Sequence, residues 1–229
     1  MAQYLLLIAP ILLFSIIAHE YAHGYAALKQ GDTTAFQLGR LTWNPLKHID
    51  PWMSIILPLM LLLAHFPVLA GAKPVPINPS NYRNYKRGDI IVSLAGVATN
   101  IVLAIACTIA VAITGLIGQA IPAASGICSI LQAMAWVGIG LNLILAMFNL
   151  LPVPPLDGSH VLKYLLPPAV AQRYQQIGFA GIVIVLVLLY TPAISYWLLP
   201  ADLTASFLQN GVRSLVLPQT PHWLPIGAI

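Results

Sequence analysis

Charge is what this sequence most lacks. Of its 229 residues only 7% are Asp, Glu, Lys or Arg, whereas 59% are hydrophobic; ordinary soluble domains carry roughly a quarter charged residues. So sparse a polar complement cannot cover a water-exposed surface, which excludes a soluble globular domain and points to an integral membrane protein. Cysteine is scarce too. Cys107 and Cys128 lie in or beside apolar segments without metal-type spacing, so they read as small apolar fillers rather than as a disulfide or ligands. No basic residue precedes the opening apolar run from Tyr4 to Ile17 and no small-residue cleavage pattern follows it, so it is expected to be a helix of the mature chain. The net charge of +4 does not signal nucleic acid, because the ten Lys and Arg are scattered among connections, as in loops that face anionic lipid.

What the chain does have is a succession of apolar runs. They predict an all-α polytopic membrane protein, a single membrane-embedded domain over 1–229 with four to five transmembrane helices and a short extended or re-entrant element beside the active site. The expected helices run about 4–28, 51–66, 89–117, 130–150 and 175–199, with an amphipathic tail near 201–217. Two connections, TWNPLKHIDP at 42–51 and AGAKPVPINPSNY at 70–82, are rich in proline, which blocks helix and favours extended backbone. Such backbone at membrane depth must be buried in protein or line a wet cavity.

The 51–66 segment is short for a span and carries Pro58. If it crosses, the ten basic residues divide six (Lys73, Arg83, Lys86, Arg87, Lys163, Arg173) to four (Lys29, Arg40, Lys47, Arg213) between the faces. If it enters and leaves on one face, the division becomes nine to one, with Arg213 alone outside. The positive-inside rule prefers the second arrangement. It gives four full spans, the amino terminus outside, and the 29–88 and 151–174 connections in the cytoplasm.

Glu20 is the only glutamate, and it sits in His19-Glu20-Tyr21-Ala22-His23 within an apolar helix. An ionisable group there costs about 2.5–3.5 kcal/mol on insertion scales, so it demands a reason. Zinc supplies one. Positions 19 and 23 lie one above the other on a helix, so both imidazoles reach one ion, and Glu20 at the edge of that face can act as general base without ligating. A hydrolytic zinc keeps three protein ligands and one open position. Asp157 is the candidate third ligand: in NLLPVPPLDGSH the prolines break the preceding helix and Gly158 permits a sharp turn that presents the carboxylate back into the protein. The alternative is an aspartate capping a helix that starts near Ser159. His19 and His23 lie about 4 and 10 Å beyond the midpoint of their helix, so Asp157 must leave the membrane on the same face, which again requires a 51–66 segment that does not cross. His48 and His65 in the insertion and His222 in the tail are expected at solvent or interface. His160 is either a partner of Asp157 or a helix-surface residue.

With these motifs in view the chain resembles the site-2 proteases, the zinc intramembrane metalloproteases of regulated intramembrane proteolysis, in the compact branch without PDZ or CBS modules. The resemblance runs from SIIAHEYAHGYAALKQGD through GAKPVPINPSNYRN and SLAGVATN to FNLLPVPPLDGSHVL. It implies one Zn2+ per chain held by His19, His23 and Asp157, with Glu20 activating water against a peptide bond in a substrate's transmembrane segment. It also places Asn149 near the cleft, where its amide either meets substrate backbone or the developing oxyanion, or makes an interhelical hydrogen bond. The PVPINP stretch resembles an extended segment that holds unwound substrate by strand addition. Val97 departs from the proline the family has after Ala-Gly, which bears on a local helix start or kink. The expected partners are transmembrane substrates and the lipid bilayer, and the expected location is a cell membrane with the active site toward the cytoplasm. A metal-ion transporter, which would repeat ligands along a path or in inverted halves, and a catalytically inactive membrane scaffold are the competing readings.

Overall fold

The computed structural model describes residues 2–63, 71–218 and 220, and among them every regular element is helical. The order is α1 (Ala2–Gln30), α2 (Thr34–Gln37), a π-helical turn (Pro51–Ile56) running into α3 (Leu57–Leu63), α4 (Tyr85–Ala120), α5 (Ser125–Asn149), α6 (Asp157–Leu162), α7 (Pro168–Gln176), α8 (Gly181–Leu188) and α9 (Pro192–Val212). Three stretches are long and apolar enough to cross a membrane: Leu7–Gln30, Tyr85–Ala120 and Pro122–Asn149. A fourth exists if α7 and α8, bent by 81° at their junction, count as one span.

The expected single helix over 175–199 is therefore broken. Gly178 at φ 48° takes the left-handed conformation that interrupts a helix, and Pro192 starts α9 at a position where a missing N–H leaves nothing unsatisfied. The tail expected near 201–217 belongs to α9 as far as Val212, followed by a tight turn at Arg213–Leu215. Val97 causes no break, since α4 runs through it uninterrupted. His65, His222 and the end of the 51–66 segment lie outside the described residues.

The described residues fall into two compact units. One draws on 1–15, 100–147 and the chain from 197 onward. Its core joins Ala104, Cys107 and Val111 of α4, Ala135, Trp136, Ile139 and Leu143 of α5, and Ala201 and Ala205 of α9, each set recurring every three or four residues as a helix face requires. Cys107 and Cys128 are buried and unpaired there. Several buried polar residues in this apolar unit are partnered: Asn100 donates to Asn142, and Gln132 donates to the Val111 and Leu215 carbonyls while accepting from Leu217 N–H and the Thr220 hydroxyl.

The other unit comprises 16–99 and 148–196 and holds every candidate site residue. Here α1 ends at Gly31, whose φ of 113° only glycine adopts readily, and where an added Cβ would sit 3.0 Å from the Asn81 carbonyl oxygen. Asp32, 1% exposed, accepts from Thr34, from Asn78 N–H and from the Asn81 amide, tying the end of α1 to the 74–81 stretch. The extended segment leading to Asn78 has no donors at Pro74 or Pro76, and three of its N–H groups are placed individually: Lys73 donates to the His48 carbonyl, Val75 to Glu20 and Asn78 to Asp32. The Ser54 hydroxyl donates to the Gly71 carbonyl at 2.6 Å, so the two ends of the 54–71 stretch lie side by side. His48, expected at solvent or interface, is buried instead, with its ring bonded to the Thr42 carbonyl.

Candidate metal centre

His19 and His23 are 8% exposed on the last part of α1. One helical turn apart, they bring their Nε2 atoms to 2.9 Å. Asp157, the first residue of α6, places Oδ2 at 3.2 Å from His19 Nε2 and 3.3 Å from His23 Nε2. These three form the single group among the described residues able to hold a metal through three ligand atoms.

Two observations test whether zinc fits. Tetrahedral coordination with bonds of about 2.0–2.2 Å sets ligand atoms about 3.3–3.5 Å apart, close to two edges of the triangle and slightly longer than the third. Asp157 Oδ2 is buried without a hydrogen-bond partner although it faces two imidazoles, as an atom awaiting a cation would be. The donor set, two imidazoles and a carboxylate, suits zinc and leaves one position open.

Local structure explains each placement. His23 Nδ1 is 2.7 Å from the Val92 carbonyl, and because a carbonyl only accepts, Nδ1 carries the proton and Nε2 offers its lone pair inward. Gly96, one helical turn further along α4, lies against both rings: a Cβ there would sit 2.5 Å from His19 Cε1 and 2.6 Å from each Nε2. Asp157 depends on Gly158 in a different way from the sharp turn expected. Gly158 is helical, and its missing side chain lets α6 abut the Leu150 and Leu151 carbonyls at the end of α5. Nor does Asp157 cap a helix starting near Ser159, since Leu156 occupies the cap position and Asp157 is already in the first turn. Glu20 is partly buried and accepts the Val75 N–H at 2.8 Å, which ties this carboxylate to the extended segment.

Asn149 is the last residue of α5, partly buried and eight residues before Asp157. His160 does not pair with Asp157; its Nδ1 is 3.4 Å from Asp89 and its side chain is 37% exposed. Sequence reasoning missed the Val92 carbonyl and the Val75 N–H, because backbone groups carry no residue signature. The one available cue was Val75 as the lone donor between two prolines. Gly96, within the SLAGVATN stretch, makes room for the two imidazoles.

The family model described as peptidase family M50 matches residues 111–189. The chain is 38% identical over 189 residues, 82% of either chain, to a Bacillus subtilis protein named "Putative zinc metalloprotease YwhC". It is 34% identical to a Mycolicibacterium smegmatis protein, covering 81% of this chain and 67% of that one, and 29% identical to a Mycobacterium tuberculosis protein over the same shares; both are named "Putative zinc metalloprotease Rip2". No solved structure matches.

Proposed function

This chain belongs to the M50 peptidases, the site-2 protease family of zinc metalloproteases, and on that premise we propose that it cleaves peptide bonds inside the transmembrane segments of other membrane proteins. The observation that carries the reading is the convergence of His19, His23 and Asp157 beside Glu20 on a helix apolar enough to span a bilayer. An exopeptidase or a protease of soluble proteins has no need to build its centre there.

Held by His19, His23 and Asp157, zinc supplies Lewis acidity that polarises the scissile carbonyl and makes water a nucleophile near neutral pH. The protein's own groups do the rest. His23 is fixed in its ligating tautomer by the Val92 carbonyl. The Val75 N–H engages Glu20 Oε2, leaving Oε1 to take a proton from the attacking water. As the C–O bond forms and the C–N bond breaks, Glu20 returns that proton to the departing amine. Asn149, at the end of α5, is assigned to hydrogen-bond the substrate carbonyl as it gains negative charge. Glu20→Gln should retain zinc and lose hydrolysis of single-span substrates in detergent by at least about a hundredfold. Equal cleavage by both proteins, or no zinc in wild type, rejects the assignment.

The protein is assigned to a cell membrane with its metal toward the cytoplasm, and the 51–66 segment to a re-entrant element. A crossing segment separates its ends by about 30 Å, whereas here Ser54 bonds Gly71 and Lys73 bonds His48. A cysteine introduced at Asn81 should be labelled only from the cytoplasmic side. Labelling from the opposite side overturns both assignments.

A further inference from the structure

The hydrolytic reading uses Asp157 but leaves unexplained a second buried carboxylate on the facing helix. Asp89, 1% exposed, lies in the first turns of α4. Three side chains converge on it, and all follow Asp157 within eight residues. Lys163 Nζ is 2.6 Å from Oδ2, the Tyr164 hydroxyl donates to the same oxygen at 2.9 Å, and His160 Nδ1 is 3.4 Å from Oδ1. Lys163 is itself 7% exposed, with its ammonium 5.0 Å from the Tyr164 ring centre and 5.7 Å from that of Tyr85.

Position distinguishes this cluster from an ordinary buried ion pair. A six-residue helix such as α6 is not stable alone, so tertiary contacts must decide where it sits. Gly158 fixes its beginning against Leu150 and Leu151, and Asp89 fixes its end. On α4 itself, Asp89, Val92 and Gly96 fall on one face at helical spacing. Val92 grips His23, Gly96 abuts both imidazoles, and Asp89 grips the element that carries the third ligand. One helix face thus registers all three ligands against each other.

We propose that Asp89 is the positioning residue for the third metal ligand: by holding Lys163, Tyr164 and His160 it sets where Asp157 meets His19 and His23, and so sets zinc affinity. The proposal rests on the zinc-site reading above. Removing an outer partner of a metal ligand typically costs about 10–100-fold in metal affinity.

The test titrates the purified full chain in detergent with zinc against a chromophoric chelator, records the visible spectrum of the cobalt(II) form, and measures thermal midpoints without metal. Asp89→Asn should bind zinc about 10–100-fold more weakly, with a changed cobalt spectrum. Asp89→Asn/Lys163→Met, which removes the orphaned ammonium, should recover thermal stability without recovering zinc affinity. Affinity within twofold of wild type in Asp89→Asn overturns the proposal, and so does full recovery in the double variant, which would make Asp89 a charge partner only. Should Asp89→Asn not fold, the double variant decides alone by the same criterion. A wild type that binds no zinc, or a His19→Ala that binds it equally well, refutes the zinc site itself and overturns the role of Asp89 with it, whereas an unchanged affinity in Asp89→Asn overturns that role alone.

Discussion

Gly96→Ala is the sharpest probe of how closely the metal centre is fitted. The added Cβ would lie 2.5–2.6 Å from three imidazole atoms of His19 and His23, whereas unstrained carbon contacts begin near about 3.5 Å. The rings or α4 must therefore give by about 1 Å, and metal–ligand distances tolerate only about 0.2 Å. His23 cannot simply retreat, because its Nδ1 is bonded to Val92, four residues earlier on the same helix as Gly96. Overpacking of this kind costs about 1–3 kcal/mol. Imposed on the ligating geometry, it corresponds to about 5–150-fold weaker zinc binding. Without metal the rings can rotate, so the thermal midpoint of the metal-free protein should fall by less than the loss in affinity implies. Chelator competition gives the affinity and a thermal melt gives the stability. Gly126→Ala is the control, since nothing lies within 4 Å of its added Cβ, and it should leave zinc binding unchanged. A Gly96→Ala protein that binds zinc within twofold of wild type and hydrolyses substrate at the same rate refutes the close-approach reasoning.

Two further predictions concern residues around the centre. Burial pushes the Asp32 carboxyl up, but donors from Asn78, Thr34 and Asn81 more than offset this and hold it below its ordinary value of 3.8. Its stabilising contribution is therefore complete above that value and lost as pH falls through the lower folded-state value. The gap in thermal midpoint between wild type and Asp32→Asn should be widest at neutral pH and narrow below pH 3.8; a gap that stays constant on acidification removes the carboxylate's charge from the account. Asn149→Ala should keep zinc affinity within twofold and lower kcat by about 10²–10³-fold, the usual loss of one oxyanion donor. Unchanged kcat would leave Asn149 a helix-packing residue.

Some of this protein was determined by its sequence alone. Continuous apolar runs and scarce charge dictate membrane helices, because a helix satisfies its own backbone within lipid and a barrel strand would alternate apolar with polar residues. The spacing of His19 and His23, with Glu20 between them, dictates a metal face, because the period of a helix is fixed whatever it packs against. Asp157 was legible as a candidate ligand because a carboxylate so placed after a proline-broken helix can be turned back into the protein. Tertiary structure decided the rest. The 175–199 run reads as one apolar helix, yet Gly178 and Pro192 divide it, since hydropathy is blind to backbone conformation. The contacts of Gly96, Gly158 and Asp89 depend on distances between elements far apart in sequence, which no local pattern encodes. The Val92 carbonyl and the Val75 N–H are groups every residue possesses, and only the folded chain brings these two to His23 and Glu20. The sequence names the atoms that can hold and use zinc, because ligand chemistry resides in side chains; their arrangement to within tenths of an ångström is a property of helix packing.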